Sequence, residues 1–110
     1  MIIAEELFDR IVALIQLDEH RAPEVTGMLY DTLKLACREA LSNNRELFGN
    51  LFSQVDYLSR KYSMHLRDVV AIQKMRSETR TGMQFSSKEL LSHARALSIF
   101  ISTIFQTAIP

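Results

Sequence analysis

Arg60 and His65 are the two residues whose types and spacing come nearest to a catalytic pair in this chain. A guanidinium binds a scissile phosphate and an imidazole exchanges a proton near neutral pH, so such a pair could support metal-independent cleavage of RNA. His65 also lies where a helix is expected to begin, and the two could equally be ordinary surface side chains. The sequence leaves both interpretations open.

A basic segment between positions 60 and 80 contains this pair. Six Lys and Arg residues accompany two acids there, whereas residues 1–32 carry seven acids and two bases, so the net charge of zero is a cancellation. The arginine guanidinium can donate two hydrogen bonds to one phosphate. We therefore expect a phosphate or nucleic-acid contact formed by Arg60, His65, Arg67, Arg76 and Arg80. Aromatic side chains that could stack on bases are Tyr57, Tyr62 and Phe85. The alternative is that this basic face pairs with the acidic first helix.

No other arrangement in the sequence predicts a cofactor or metal site. His20 is expected in a loop and His93 on the exposed or boundary side of the last helix, and the three histidines share no ligand spacing. The single cysteine, Cys37, lies in an apolar helical run, so we expect a small buried hydrophobic residue there. We therefore expect neither a metal nor a cofactor.

The length and composition bound the fold and the setting. The 110 residues, 47% of them hydrophobic and only five of them Gly or Pro, predict one globular domain, residues 1–110. The sequence has no basic signal-peptide start and no uncharged apolar run long enough to span a bilayer, so we expect a soluble cytoplasmic protein. Since the chain ends on Ile109 and Pro110 without a polar tail, we expect it to be the N-terminal part of a longer protein.

Apolar residues recur with a helical period, which predicts an all-α bundle of about five helices. The predicted helices cover residues 2–17, 23–42, 45–62, 64–77 and 87–108. Pro23 suits the first turn of the second helix, Ser63 is the expected cap of the fourth, and Ser86 with Glu89 forms a capping box before the last. Short connections favour antiparallel neighbours.

The middle of the chain carries the features that position the candidate site. Phe48 and Phe52 are expected to face inward from the third helix, which contains Gly49. The apolar stripe expected to face the core from the fourth helix is Leu66, Val69, Val70, Gln73 and Met75. Residues 77–84 lose the apolar period, so we expect an exposed functional loop there.

The order of these pieces resembles the helical HEPN superfamily, found beside nucleases and helicases. Over residues 25–108, the resemblance lies in a helix at 29–41, a middle helix, a short helix ending in Arg76, a polar loop and the Ser86-capped last helix. In catalytic members of that superfamily, four to six residues separate the loop Arg from a His. The corresponding positions here are Thr81, Gly82 and Met83, none of which transfers a proton. The resemblance therefore implies a non-catalytic docking or regulatory member.

The function expected from the sequence is that of a non-catalytic protein-interaction or regulatory module. It would bind a protein partner, or a second copy of itself as a homodimer, and it would be attached to a nucleic-acid-processing protein such as a helicase or nuclease. No membrane segment is expected. The alternative is an RNA- or DNA-binding domain, or a metal-independent ribonuclease of HEPN type, acting through the basic segment.

Overall fold

Four helices contain most of the residues that the structure describes. The structure is a computed structural model, and it describes Asp9 and residues 22–41, 49–81 and 85–105. The helices are α1 (Ala22–Ala40), α2 (Leu51–Lys61), α3 (Leu66–Arg80) and α4 (Ser87–Ile104). No strand occurs among these residues, which confirms the all-α class. The predicted first helix, residues 2–17, lies outside the described residues except for Asp9, which is helical and exposed.

One apolar core holds the four helices, and every pair of them is in contact. The largest fully buried side chains come from all four helices: Val25, Leu29, Leu33, Val55, Leu58, Ile72, Met75, Leu90, Leu97 and Phe100. Burying a side chain of this size stabilises the folded chain by about 1.5–3 kcal/mol. Within the described part of the chain, no helix has the length and apolar character needed to cross a membrane.

The start of α2 differs from the prediction of a helix over 45–62, of which residues 45–48, with Phe48, lie outside the described residues. Gly49 and Asn50 are not helical, and the side-chain oxygen of Asn50 accepts a hydrogen bond of 2.8 Å from the backbone N–H of Ser53. Asn50 is therefore the N-cap, a role that contributes about 1 kcal/mol. Because the cap requires an extended backbone at Asn50, Gly49 lies outside the helix and not within it.

The connection between α2 and α3 corrects the role predicted for Ser63. Ser63 does not cap α3, because it adopts a left-handed backbone with φ of 54° just after α2. Its N–H donates to the carbonyl of Arg60 (3.2 Å), and the N–H of Met64 donates to the carbonyl of Ser59 (2.9 Å). These two bonds form a Schellman motif, which ends α2 and turns the chain back on itself. The N-cap of α3 is His65, whose side chain makes no capping bond.

The far end of α3 extends beyond the predicted 64–77. Residues 77–80 are helical, so the polar loop expected over 77–84 begins later, and residues 82–84 lie outside the described residues. Thr79 is buried, and its hydroxyl donates to the carbonyl of Met75 at 2.6 Å. Because its hydroxyl bonds to the backbone of the same helix, Thr79 can lie on the core side of α3 although it is polar. The apolar period alone does not predict this.

The first and last described helices lie close to their predicted positions. α1 begins at Ala22 and ends at Ala40, against the predicted 23–42. The capping box before α4 is confirmed: the hydroxyl of Ser86 accepts from the N–H of Glu89 (3.3 Å), and the Glu89 carboxylate accepts from the N–H of Ser86 (3.4 Å). α4 ends at Ile104, before the predicted 108, and residues 106–110 lie outside the described residues.

Candidate functional site

Two apolar side chains of α3 face solvent, so the predicted core stripe of this helix holds only in part. Leu66 and Val70, expected in the core, are 78% and 59% exposed. Met75 is buried as predicted, and Ile72 and Thr79 accompany it in the core. A helix with apolar residues on two sides can bury only one of them in a bundle of this size, so the other side remains in contact with solvent.

Phe52, which was expected to face inward from α2, lies on the same surface and is 52% exposed. The side-chain amide of Gln73 donates to the Phe52 carbonyl at 3.1 Å, which ties α2 to α3. The Arg76 guanidinium lies 5.3 Å from the centre of the Phe52 ring and donates to the Gln73 side-chain oxygen at 2.8 Å. A cation over an aromatic face contributes about 0.5–1 kcal/mol at an exposed site.

These contacts define one surface on the α2–α3 hairpin. Leu66, Val70 and Gln73 recur at helical spacing along one side of α3, and Gln73 contacts Phe52. We call the exposed apolar side chains Phe52, Leu66 and Val70 the α2–α3 surface. The distance along α3 from Leu66 to Gln73 is about 10 Å, or two turns of helix.

Charged side chains surround the α2–α3 surface. The ion pairs are Arg60 with Asp56 (3.2 Å), Arg67 with Asp68 (3.9 Å) and Lys74 with Glu78 (3.9 Å). The basic member of each pair extends into solvent, with 66–87% of its side chain exposed, whereas the acidic side chains are 20–38% exposed. Such exposed pairs contribute about 0–1 kcal/mol to stability, so their main effect is to leave positive charge outermost.

The residues assigned to phosphate contact do not all share one side of the fold. Arg67 and Arg76 are nine positions apart on α3, which places them about 180° apart around its axis. Arg76 and Arg80 are one turn apart and share a side. Arg60 and His65 are both exposed and flank the connection between α2 and α3.

The aromatic side chains considered for base stacking are largely committed within the protein. Phe85 is buried, so it is not available to a base. Tyr62 is half-buried and carries the Lys61 ammonium 5.5 Å from its ring centre, and Tyr57 is half-buried against the core. The predicted pairing of the basic face with the acidic first helix involves residues outside the described part of the chain.

A buried histidine that the sequence placed elsewhere joins α3 to α4. His93 was expected on the exposed or boundary side of the last helix, but it is 6% exposed, and its Nε2 lies 2.9 Å from the Glu78 carboxylate. The Phe85 ring meets the imidazole edge-on, with ring centres 4.9 Å apart. The spacing from Leu90 to His93 to Leu97 follows the apolar stripe of α4, and this signal could have predicted the burial.

The Glu78 carboxylate fixes the orientation of the His93 ring, an arrangement that also occurs in many sites of acid–base catalysis. Its surroundings favour a structural role. The ring packs against Phe85, and the pair clamps the last turn of α3 to the second turn of α4. This pair therefore positions the two helices on either side of residues 82–84.

The remaining reactive groups are shielded from solvent or dispersed. Cys37 is fully buried, and burial raises the pKa of its thiol to about 12, so the folded chain holds it as an unreactive neutral thiol. This confirms the hydrophobic role predicted for Cys37. Among the described residues, no three His, Cys, Asp or Glu side chains come together in a way that could hold a metal ion.

Comparison of the chain with protein-family models, with curated proteins and with solved structures found no match.

Proposed function

We propose that this chain is a non-catalytic protein-interaction module whose binding site is the α2–α3 surface. The observation that carries the proposal is the exposure of Leu66 and Val70, one turn apart on α3, together with Phe52, whose backbone contacts Gln73 on the same helix. Scattered apolar side chains are ordinary on protein surfaces, whereas adjacent ones mark interaction sites. Leu66 and Val70 add little to the core, so the fold does not explain their presence.

The polar chemistry of the described residues also supports a binding role. The most exposed basic side chains around the hairpin have acidic neighbours, and the thiol and the His93 imidazole are buried. The layout that resembles the HEPN superfamily belongs to the same proposal: we interpret the chain as a docking or regulatory member that accompanies a helicase or nuclease.

Binding of RNA or DNA is the second candidate. The observation that favours it is the outward charge of the hairpin, where Arg60, Arg67 and Lys74 expose most of their side chains. Phosphate contacts of this kind would make binding fall steeply with salt. Binding of single-stranded RNA in a salt titration would favour this candidate if Arg60→Ala and Arg67→Ala weaken binding and Leu66→Ser does not.

Site-specific photocrosslinking tests the proposed function. A photoreactive amino acid is placed at Val70 and, as a matched control, at Arg38, which is exposed in the last turn of α1. In cells that produce the chain naturally, we expect a discrete protein adduct from position 70 that disappears when Leu66→Ser is added, and no such adduct from position 38. The proposal is wrong if position 70 yields no adduct, or if both positions yield the same ones.

A further inference from the structure

The charge pattern around the α2–α3 surface restricts what can bind there. Between positions 60 and 80 there are six basic and two acidic residues, and with Asp56, the partner of Arg60, the local excess is three positive charges. The two acids, Asp68 and Glu78, are half-buried, and Glu78 is occupied by His93. The exposed rim of the surface is consequently basic, while its centre is apolar.

The shape of the surface matches one side of a helix. Leu66 and Val70 are exposed one turn apart on α3, and Gln73, about two turns from Leu66, contacts the backbone of Phe52 on α2. A partner helix that presents apolar anchors one and two turns apart covers the same length. Arg67 and Arg76 project on opposite sides of α3, so positive charge is available on both flanks of such a helix.

We propose that the α2–α3 surface binds an amphipathic helix of another protein that has an aliphatic stripe flanked by Asp and Glu. This inference rests on the proposed function and names the chemistry of its partner. The aliphatic stripe would cover Leu66 and Val70, and the flanking carboxylates would meet Arg67 and Arg76. Opposite charges at the rim accelerate association and select against basic partners.

A nucleic acid fits the same surface less well. Leu66 and Val70 are aliphatic and provide no flat face on which a base could stack, and the ring of Phe52 already carries the Arg76 guanidinium 5.3 Å from its centre. The Arg76 guanidinium is already held by Gln73 and Phe52, which leaves it suited to a carboxylate at the rim. An acidic helix uses both the apolar centre and the basic rim, whereas RNA would use only the rim.

The test measures binding of the whole chain to designed peptides by fluorescence anisotropy. The probe is a labelled peptide of about five helical turns with a leucine stripe flanked by glutamates, and its control carries lysine at every glutamate position. The chain variants are the double substitution Leu66→Ser and Val70→Ser, with Leu35→Ser as the matched control, because Leu35 is an exposed leucine on the outward side of α1. The charge variants are Arg67→Ala and, as control, Arg38→Ala. Circular dichroism verifies that each variant is folded.

We expect the glutamate peptide to bind about tenfold or more tightly than the lysine peptide. The Leu66→Ser, Val70→Ser variant should weaken it by at least about tenfold, and Leu35→Ser by less than about twofold. Arg67→Ala should weaken binding and flatten its salt dependence, and Arg38→Ala should do neither.

Three results would overturn the inference. The first is equal binding of both peptides, and the second is equal effects of the Leu66→Ser, Val70→Ser variant and Leu35→Ser. The third is displacement of the glutamate peptide by single-stranded RNA whose own binding depends on Leu66 and Val70. If position 70 still crosslinks to a protein in cells, the proposed function survives and only the acidic helix is wrong; without that crosslink, both fail.

Discussion

The buried pair of His93 and Glu78 should be one of the strongest polar contributions to the stability of this domain. We consider the variants His93→Ala, Glu78→Ala and their combination. The imidazole is 6% exposed and lies 2.9 Å from the carboxylate. Removal of Glu78 deletes the hydrogen bond and leaves the buried imidazole without it, whereas removal of His93 leaves a half-buried carboxylate that still reaches solvent.

The expected magnitude follows from the contacts that each variant removes. A hydrogen bond to a charged group contributes about 1.5–3 kcal/mol, and an edge-on aromatic contact such as that with Phe85 about 0.5–1.5 kcal/mol. His93→Ala loses both, so the free energy of unfolding should fall by about 2–4 kcal/mol. Glu78→Ala loses the hydrogen bond and the exposed ion pair with Lys74, which contributes little, and should cost about 1.5–3 kcal/mol. The coupling between the two residues should be about 1–2 kcal/mol.

Urea denaturation followed by circular dichroism provides the measurement for all four proteins of the cycle. Lys74→Ala is the control, because Lys74 lies 3.9 Å from the same carboxylate but is mostly exposed, and it should change stability by less than about 0.5 kcal/mol. In thermal unfolding, each kcal/mol should lower Tm by about 4–8 °C for a domain near this size. A coupling energy below about 0.5 kcal/mol, or effects of His93→Ala no larger than those of Lys74→Ala, would refute the reasoning.

Three further substitutions test individual features of the fold. Ser63→Gly should stabilise the chain by about 0.5–1 kcal/mol, because Gly adopts the left-handed backbone without steric cost; a loss of stability in urea denaturation would contradict the Schellman geometry. Ser59→Ala should be neutral or stabilising by up to about 1 kcal/mol, because the Ser59 hydroxyl is buried and has no hydrogen-bond partner in the described structure; a cost above about 1 kcal/mol would show that the hydroxyl is bonded. Burial raises the pKa of the Cys37 thiol from its ordinary value of 9.0 to about 12, so stability is fully present below pH 9.0 and falls as pH rises toward 12. The loss should reach roughly 2 kcal/mol near pH 10.5. The same denaturation series with Cys37→Ala should lack this part of the decline, and identical pH profiles would count against it.

The parts of the fold that were predictable from the sequence are those controlled by neighbours along the chain. The capping box of Ser86 and Glu89 uses bonds between residues three positions apart, and it is where the sequence placed it. The burial of Cys37 follows from the apolar run around it. The start of α2 was missed because the Asn50 cap competes with an apolar period that continues through Phe48 and Leu51.

The phosphate contact that the sequence indicated between positions 60 and 80 stays a prediction. The α2–α3 surface overlaps that segment at Leu66 and Val70, but Phe52 lies outside it. The apolar centre was missed, because Leu66, Val70 and Phe52 have the periodicity of core residues. Periodicity reports which residues share a side of a helix, but it does not report which side the rest of the chain covers.

The amino-acid sequence by itself determined that this chain is helical, where its last helix is capped, and that its cysteine is buried, because propensity, capping and apolar period act over a few residues. Only the tertiary structure decided which side of α3 enters the core and that His93 reaches Glu78, a residue fifteen positions earlier on another helix. Both decisions depend on how whole helices pack, since each helix can bury only the side that its neighbours cover.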